Sequence, residues 1–432
     1  MLSHEDNLLL MQTDASKPMG KLMRRYWIPF LFTRELVADG GQQRVLLLGE
    51  RLIAFRDTLG RVGLIDEFCA HRRASLYYGR NEECGIRCSY HGLKFDVNGK
   101  CLEAPTSSPG FNFEAKVKIK AYPVREAGGL LWTYMGPPGT ESEIPDFEWM
   151  NLLESHLYWS RWIQEANWFG AIEGEVDSSH VAFAHGRLDQ VKVEDKSHIF
   201  GGYVAQDRNP RLSVERKTYG LETASARTAE DGQVYWRINH FLVPFYTMIT
   251  SHIGGHVTAR MWVPADDENT LAFTLTYRCD RPLNADEIRQ FETGEVGHPI
   301  LTPGSLRPRA NRDNDYLMDR EVQKKIHFTG IATVRAQDAA LTESAGAMPD
   351  RTKETLAASD VGIVAARRLM LHLAKDMESG QPPAALDHIA DYATRPISVL
   401  LPAGTDYRQS PEVARGLKPV PGVAHNKPKE TV

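Results

Sequence analysis

The stretch CAHRRASLYYGRNEECGIRCSYH, residues 69–91, decides how the rest of the chain is read. It places Cys69-x-His71 and, after sixteen intervening residues, Cys88-x-x-His91. Two thiols and two imidazoles on two short loops suggest a metal. Zinc accepts two Cys and two His, but a zinc finger supplies its cysteines first and its histidines from a helix. Here each loop offers one of each, and both loops lie among strand-like runs. That alternation suits a [2Fe–2S] cluster with the thiolates on one iron and the imidazoles on the other. Gly92, directly after His91, permits a tight turn. The plainer reading is two structural cysteines beside two surface histidines, and it weakens when all four residues share this spacing.

The chain has 432 residues, enough for two or three domains of ~150 residues each. A net charge of −5 shows no basic excess, which argues against nucleic acid as a partner. No run approaches the ~20 apolar residues of a membrane span. The opening MLSHEDNLLLMQ puts acids ahead of its apolar run, the wrong order for a secretory signal. Five cysteines at low density make a disulfide framework improbable, so the expectation is a cytoplasmic protein with reduced thiols.

Residues 43–66 read as successive strands broken by turn residues. Asn98-Gly99 is a hairpin signal in a first part that is mostly β. PPGTESEIPD, 137–146, reads as linker. Beyond it, QEANWFGAIEGEVDSSHVAFAH reads as helix, residues 212–280 alternate like strands, 281–330 are charged and irregular, and 351–376 form a long helical pattern.

A cluster alone makes an electron carrier, so a second site in this later part decides between carrier and enzyme. EGEVDSSHVAFAH brings Asp177, His180 and His185 together. Asp177 and His180 share a helix face. His180 and His185 stand ~140° apart on a regular helix and can share a metal only if the helix ends or bulges between them. Gly186 is a plausible stop. A third donor is Asp360, which sits in an apolar stripe with no basic residue three or four positions away. The rival reading makes Asp360 a helix N-cap, and physics alone divides the two evenly. Two His and one carboxylate would form the facial triad of non-heme Fe(II) oxygenases, leaving positions open for dioxygen and substrate.

Residues 69–101 resemble the Rieske domain of aromatic-ring-hydroxylating oxygenases. NWFGAIEGEVDSSH, NDYLMDREVQ, FTGI, QDAALTES and DRTKETLAASDVGIVAARRLML resemble the phthalate 4,5-dioxygenase type, close to chlorobenzoate and isophthalate dioxygenases. Arg73 and Leu93 depart from the Gly and Trp usual in the cluster loops, and Glu173 falls where other branches carry Asn. The resemblance implies an α+β fold. An all-β Rieske domain (27–136) would follow an N-terminal helical segment (1–26). A linker (137–154) would lead to a helix-grip catalytic domain of antiparallel sheet and helices (155–404), and then a tail (405–432).

The same resemblance implies Cys69, His71, Cys88 and His91 as cluster ligands and His180, His185 and Asp360 as ligands of a mononuclear Fe(II). Asp177 becomes a bridge to the cluster histidine, His91, of a neighbouring subunit. A homotrimer, or two stacked trimers, follows, with no β subunit. The implied reaction is cis-dihydroxylation of an aromatic carboxylate by O2, with electrons from NAD(P)H through a flavin/[2Fe–2S] reductase. The alternatives are monooxygenation (O-demethylation or side-chain hydroxylation) and a Rieske electron-transfer protein. A carboxylate substrate needs a cationic anchor. Arg208, Arg211 and Arg237, with Ser178 next to the iron helix, are the candidates, although charged residues are mostly ordinary surface groups.

Overall fold

The computed structural model describes residues 2–108, 112–189 and 194–419. They form two compact units. One comprises Thr13–Ser16 and Gly20–Ile144; the other combines the residues up to Gln12, Lys17–Met19 and those from Pro145 onward. The boundary lies inside the stretch expected as linker. The first residues, expected as part of a separate segment 1–26, divide between the units. Helix His4–Met11 packs on the second, where the Asn7 amide donates to the Pro349 carbonyl and Asp6 pairs with Lys375.

The first unit is β-rich, with one three-stranded and two four-stranded sheets. Strand Gln43–Leu47 shows why: Val45 and Leu47 are buried while Arg44 and Leu46 are exposed, the period of two that a one-sided strand requires. The Asn98-Gly99 turn is present, with Gly99 at φ +74°. Cys69 and Cys88 sit in one apolar cluster with Ile53, Phe55, Ile65 and Phe95. The sheets and the two Cys/His loops therefore share a core.

The second unit is built on an eight-stranded antiparallel sheet. From its Leu157–Gln164 edge the order runs through Thr270–Tyr277, Val257–Pro264, Tyr246–Thr250, Gln233–Leu242 and Gly220–Thr228 to Arg211–Lys217. Ile397–Pro402 also pairs with Gln233–Leu242. Strands Val257–Pro264 and Thr270–Tyr277 are buried at every position. The long helix, Val361–Glu378, begins later than the pattern from 351 suggests, after two short 3-10 turns. It packs against helix Trp168–Val176 and strand Arg211–Lys217. At Gly362 a Cβ would stand 2.5 Å from the Val176 carbonyl oxygen, so this close approach requires glycine.

Of the expected tail, Tyr407 and Val413 bury against Val399 and Leu401, so residues 405–419 continue the second unit; 420–432 lie outside the described residues. Among the described residues no helix is long and apolar enough to cross a membrane.

The segment expected as one helix is two. Asn167 caps Trp168–Val176, and its amide donates to the carbonyls of Met11 and Asp267. Asp177 then ends the helix: its carboxylate accepts from the backbone N–H of Ser179 (2.7 Å) and His180 (3.3 Å). This is the local competition with helix hydrogen bonding that Asp offers at turns. A single further turn, Val181–Ala184, follows.

Glu173 fixes the first of these helices. Arg351 donates to both of its oxygens, and Arg367 donates at 2.6 Å. Both arginines are almost completely buried. The acid at this position is thus the counter-charge of two cations, one of them on the long helix. Glu173→Ala should lower the stability of the catalytic unit by about 3–5 kcal/mol, because the buried Arg351 loses its carboxylate partner and Arg367 keeps only Glu354. Denaturant unfolding followed by tryptophan fluorescence checks this; a loss under ~1 kcal/mol, the range of a surface pair, would contradict it.

Candidate metal centres

In the cluster loops the thiols point inward and the imidazoles outward. Cys69 and Cys88 are buried, His71 is exposed and His91 is half-buried. The two imidazole rings meet edge-on with centroids 4.5 Å apart. Each loop closes on its own cysteine. Arg73 N–H donates to the Cys69 carbonyl and Gly92 N–H to that of Cys88. Burial pushes the Cys69 thiol up to about 11; the His71 N–H works against this and Cys88 adds to it. A thiol in that setting ionises readily only beside a cation.

The four donors do not gather as one group around a single point; among the described residues the one such group is elsewhere. Two thiols on one side and two imidazoles on the other suit a two-iron cluster better than a zinc tetrahedron. Beneath the first loop, Glu67 accepts from Arg51 (2.8 Å), Arg44 (3.2 Å) and the Ser75 hydroxyl (2.7 Å) and so ties the loop's two ends together.

Arg73 occupies the left-handed region at φ +57°, where glycine pays no steric cost. Its guanidinium lies 4.7 Å from the centre of the Phe68 ring and 3.4 Å from Asp66. These contacts offset the strained backbone.

The second centre lies at the broken helix. His180 begins and His185 ends the one-turn helix Val181–Ala184. Their Nε2 atoms face one carboxylate oxygen, Oδ1 of Asp338, at 3.8 Å and 3.2 Å. The ligand atoms of these three residues lie within 4.8 Å of one another. On the opposite side of each ring, His185 Nδ1 donates to Gln337 Oε1 at 2.7 Å, and His180 Nδ1 lies at ion-pair distance, 3.3 Å, from Asp177. Gln337 is itself held by donation to the Ile331 carbonyl. The Gln337 bond sets the His185 tautomer that frees its Nε2 lone pair.

Burial alone would raise the Asp338 carboxyl, but His185 and Arg335 beside it reverse that and hold it well below the carboxylate range. Burial likewise disfavours a charged His180, yet Asp177 and Asp338 outweigh it and raise its pKa. The donor set of two imidazoles and one carboxylate fits Fe(II).

The centre opens into a cavity of about 340 Å³. Ser178 and Arg237 line it. Arg237 is 4 % exposed. It donates to the Thr250 carbonyl at 2.9 Å and pairs with no carboxylate among the described residues.

A family description, Rieske [2Fe-2S] domain, matches residues 26–123, and a second, LigXa C-terminal domain like, matches 133–423. The chain is 38% identical to the 3-chlorobenzoate-3,4-dioxygenase oxygenase subunit of Comamonas testosteroni, covering 94% of this chain and 97% of that one. It is 36% identical to the phthalate 4,5-dioxygenase oxygenase subunit of Pseudomonas putida, covering 88% of each. The chain belongs to the Rieske non-heme iron oxygenases. A solved structure of Pseudomonas putida CBB5 NdmA, a QL mutant with caffeine, shares the fold, with a TM-score of 0.60 at 19% identity over 88% of this chain and 98% of that one.

The cofactors of this oxygenase are a Rieske [2Fe–2S] cluster and a mononuclear iron, with dioxygen as co-substrate. The sequence reading needs correction at the third donor. Asp360 lies apart from the two histidines, immediately before helix Val361–Glu378, where its carboxylate accepts from the Ala357 N–H at 2.5 Å. It occupies the N-cap position of the rival reading, but its side chain closes the preceding 3-10 turn Ala358–Asp360 rather than capping the long helix. Asp338 stands in its place, and the sequence reading missed it. Its signal was the helical run VRAQDAALTES, where Arg335 three residues earlier gives it the look of an ordinary surface ion pair.

Arg208 and Arg211 do not line the cavity either. Arg208 is exposed over the Phe183 ring, and Arg211 is exposed at the start of its strand. Asp338→Ala should therefore empty the mononuclear site while the cluster absorbance stays, and Asp360→Ala should retain iron at that site. Iron analysis of both variants checks this; the reverse pattern would restore the Asp360 assignment.

Proposed function

We propose that this oxygenase is the terminal component that cis-dihydroxylates an aromatic carboxylate of the benzoate or phthalate kind. It receives electrons from NAD(P)H through a flavin/[2Fe–2S] reductase. Cys69, His71, Cys88 and His91 would hold the cluster, and His180, His185 and Asp338 the iron. The cluster would supply single electrons and the iron the activation of dioxygen.

The observation that carries the substrate class is Arg237. A buried guanidinium without a carboxylate partner is costly unless an anion joins it, and this one borders the same cavity as the triad. A ring acid would place its carboxylate on Arg237 and its ring across the apolar walls, among them Val181, Ile199 and Ile249. Two relatives named for chlorobenzoate and phthalate dioxygenases support the same class. Asp177 contributes by orienting His180 and by ending the preceding helix, so that His180 opens the separate turn whose other end is His185. In a trimer, or a pair of stacked trimers, its carboxylate would also carry the electron path from His91 of the partner subunit.

Replacing Arg237 by Met should raise KM for ring acids about 10- to 100-fold, the worth of one charged hydrogen bond. The cluster spectrum and iron content should stay normal. Lys at this position should recover part of the loss. Unchanged KM across a panel of benzoates and phthalates would remove the anchor role. With 18O2, product mass should rise by two labelled atoms; one labelled atom would favour monooxygenation.

A further inference from the structure

The two oxygens of Asp338 have different surroundings. Oδ1 faces both Nε2 atoms. Oδ2 is taken by Arg335 Nη2 at 3.0 Å. Arg335 is 5 % exposed. Its Nη1 reaches Glu175 at 3.4 Å, and its guanidinium carbon lies 5.5 Å and 5.2 Å from the ring centres of Trp162 and Trp262. Glu175 is fixed in turn by Arg260, whose Nη1 donates to both of its oxygens at 2.7 and 2.8 Å. The four charged groups sum to zero without any metal.

We propose that Arg335 is a positioning residue that restricts Asp338 to ligation through one oxygen and thereby keeps a coordination position open for dioxygen. The inference rests on Asp338 being a ligand. A free carboxylate beside a divalent cation can turn to bring both oxygens onto it. Here that rotation would break a charge-assisted bond and leave a buried guanidinium facing Glu175 alone. The Trp162 and Trp262 rings and the Glu175–Arg260 pair hold the guanidinium in place, so it cannot follow. With two imidazoles and one carboxylate oxygen bound, three of six octahedral positions stay free; a second carboxylate oxygen would take one of them.

Nitric oxide, a dioxygen surrogate that gives the ferrous site a characteristic EPR signal, reads the open position directly. Arg335→Met, Arg335→Lys, Glu175→Gln and Asp338→Asn would be prepared as full-length protein with the cluster spectrum as the check on folding. Ferrous content and nitric oxide affinity would be measured on each. The expected result is that Arg335→Met retains iron but binds nitric oxide at least tenfold more weakly, with an altered signal. Arg335→Lys should restore most of the affinity, and Glu175→Gln, which loosens the arginine without touching Asp338, should give a smaller loss.

Unchanged affinity and signal in Arg335→Met would overturn the proposal. So would loss of iron from that variant, since retention rather than denticity would then be its role. If Arg335→Met does not fold, Glu175→Gln decides in the same way, and wild-type affinity there overturns the proposal. Asp338→Asn separates the two levels. Full iron retention in that variant would remove the ligand assignment itself, whereas iron loss with a wild-type signal in Arg335→Met would remove only the clamp.

Discussion

Two imidazoles five residues apart cannot face one ion from an unbroken helix, because the spacing turns them ~140° away from each other. The catalytic unit depends on how this constraint is met. Asp177 closes the preceding helix on its own carboxylate, and the turn Val181–Ala184 that follows stops at His185, whose φ −103° and ψ 8° have left the helix, so the two imidazoles sit at its two ends. Asn167 at one end of the preceding helix and Gly362 against the other fix where the break falls. The same carboxylate that ends the helix orients the first histidine, so secondary structure and metal geometry are set by one side chain.

Around this break the unit buries several charges; Arg227 is met by the Ser225 hydroxyl and the Ser178 carbonyl, and most of the others are matched by opposite charge. Glu173 answers Arg351 and Arg367; Glu175 and Asp338 answer Arg260 and Arg335. Buried ion pairs add little net stability over apolar packing, but they make the arrangement hard to change, since removing one member strands the other. The matching makes Arg237 informative. It shares the burial of the others and lacks their partner. On the proposed reading, an anionic substrate would complete it.

The two centres differ in how far the sequence reveals them. Cys69, His71, Cys88 and His91 lie within two neighbouring loops, and a local spacing carries their meaning. His180 and His185 were legible for the same reason, including the need for a break between them. Asp338 was not. It comes from a different helix, and its neighbour at three residues' distance, Arg335, gives it the appearance of an ordinary helical pair. Asp360 looked isolated because no basic residue stands one turn away, yet its carboxylate has its partner in the backbone N–H of Ala357, which no pattern of side chains displays. Arg73 shows the same limit: only the backbone reveals that it holds a glycine's conformation, supported by Phe68 and Asp66. Strands were legible both where one face is solvated, as in Gln43–Leu47, and where both are buried, as in Val257–Pro264 and Thr270–Tyr277; the place of the helix break at Asp177 was not, because the apolar period runs on through it.

The most direct measurement is an iron-edge anomalous difference map from crystals of the iron-loaded enzyme. The account predicts one peak among His180, His185 and Asp338, with a single Asp338 oxygen toward it, and a second, two-iron feature between the Cys69/Cys88 and His71/His91 pairs. A mononuclear peak at Asp360, or none beside Asp338, would contradict it.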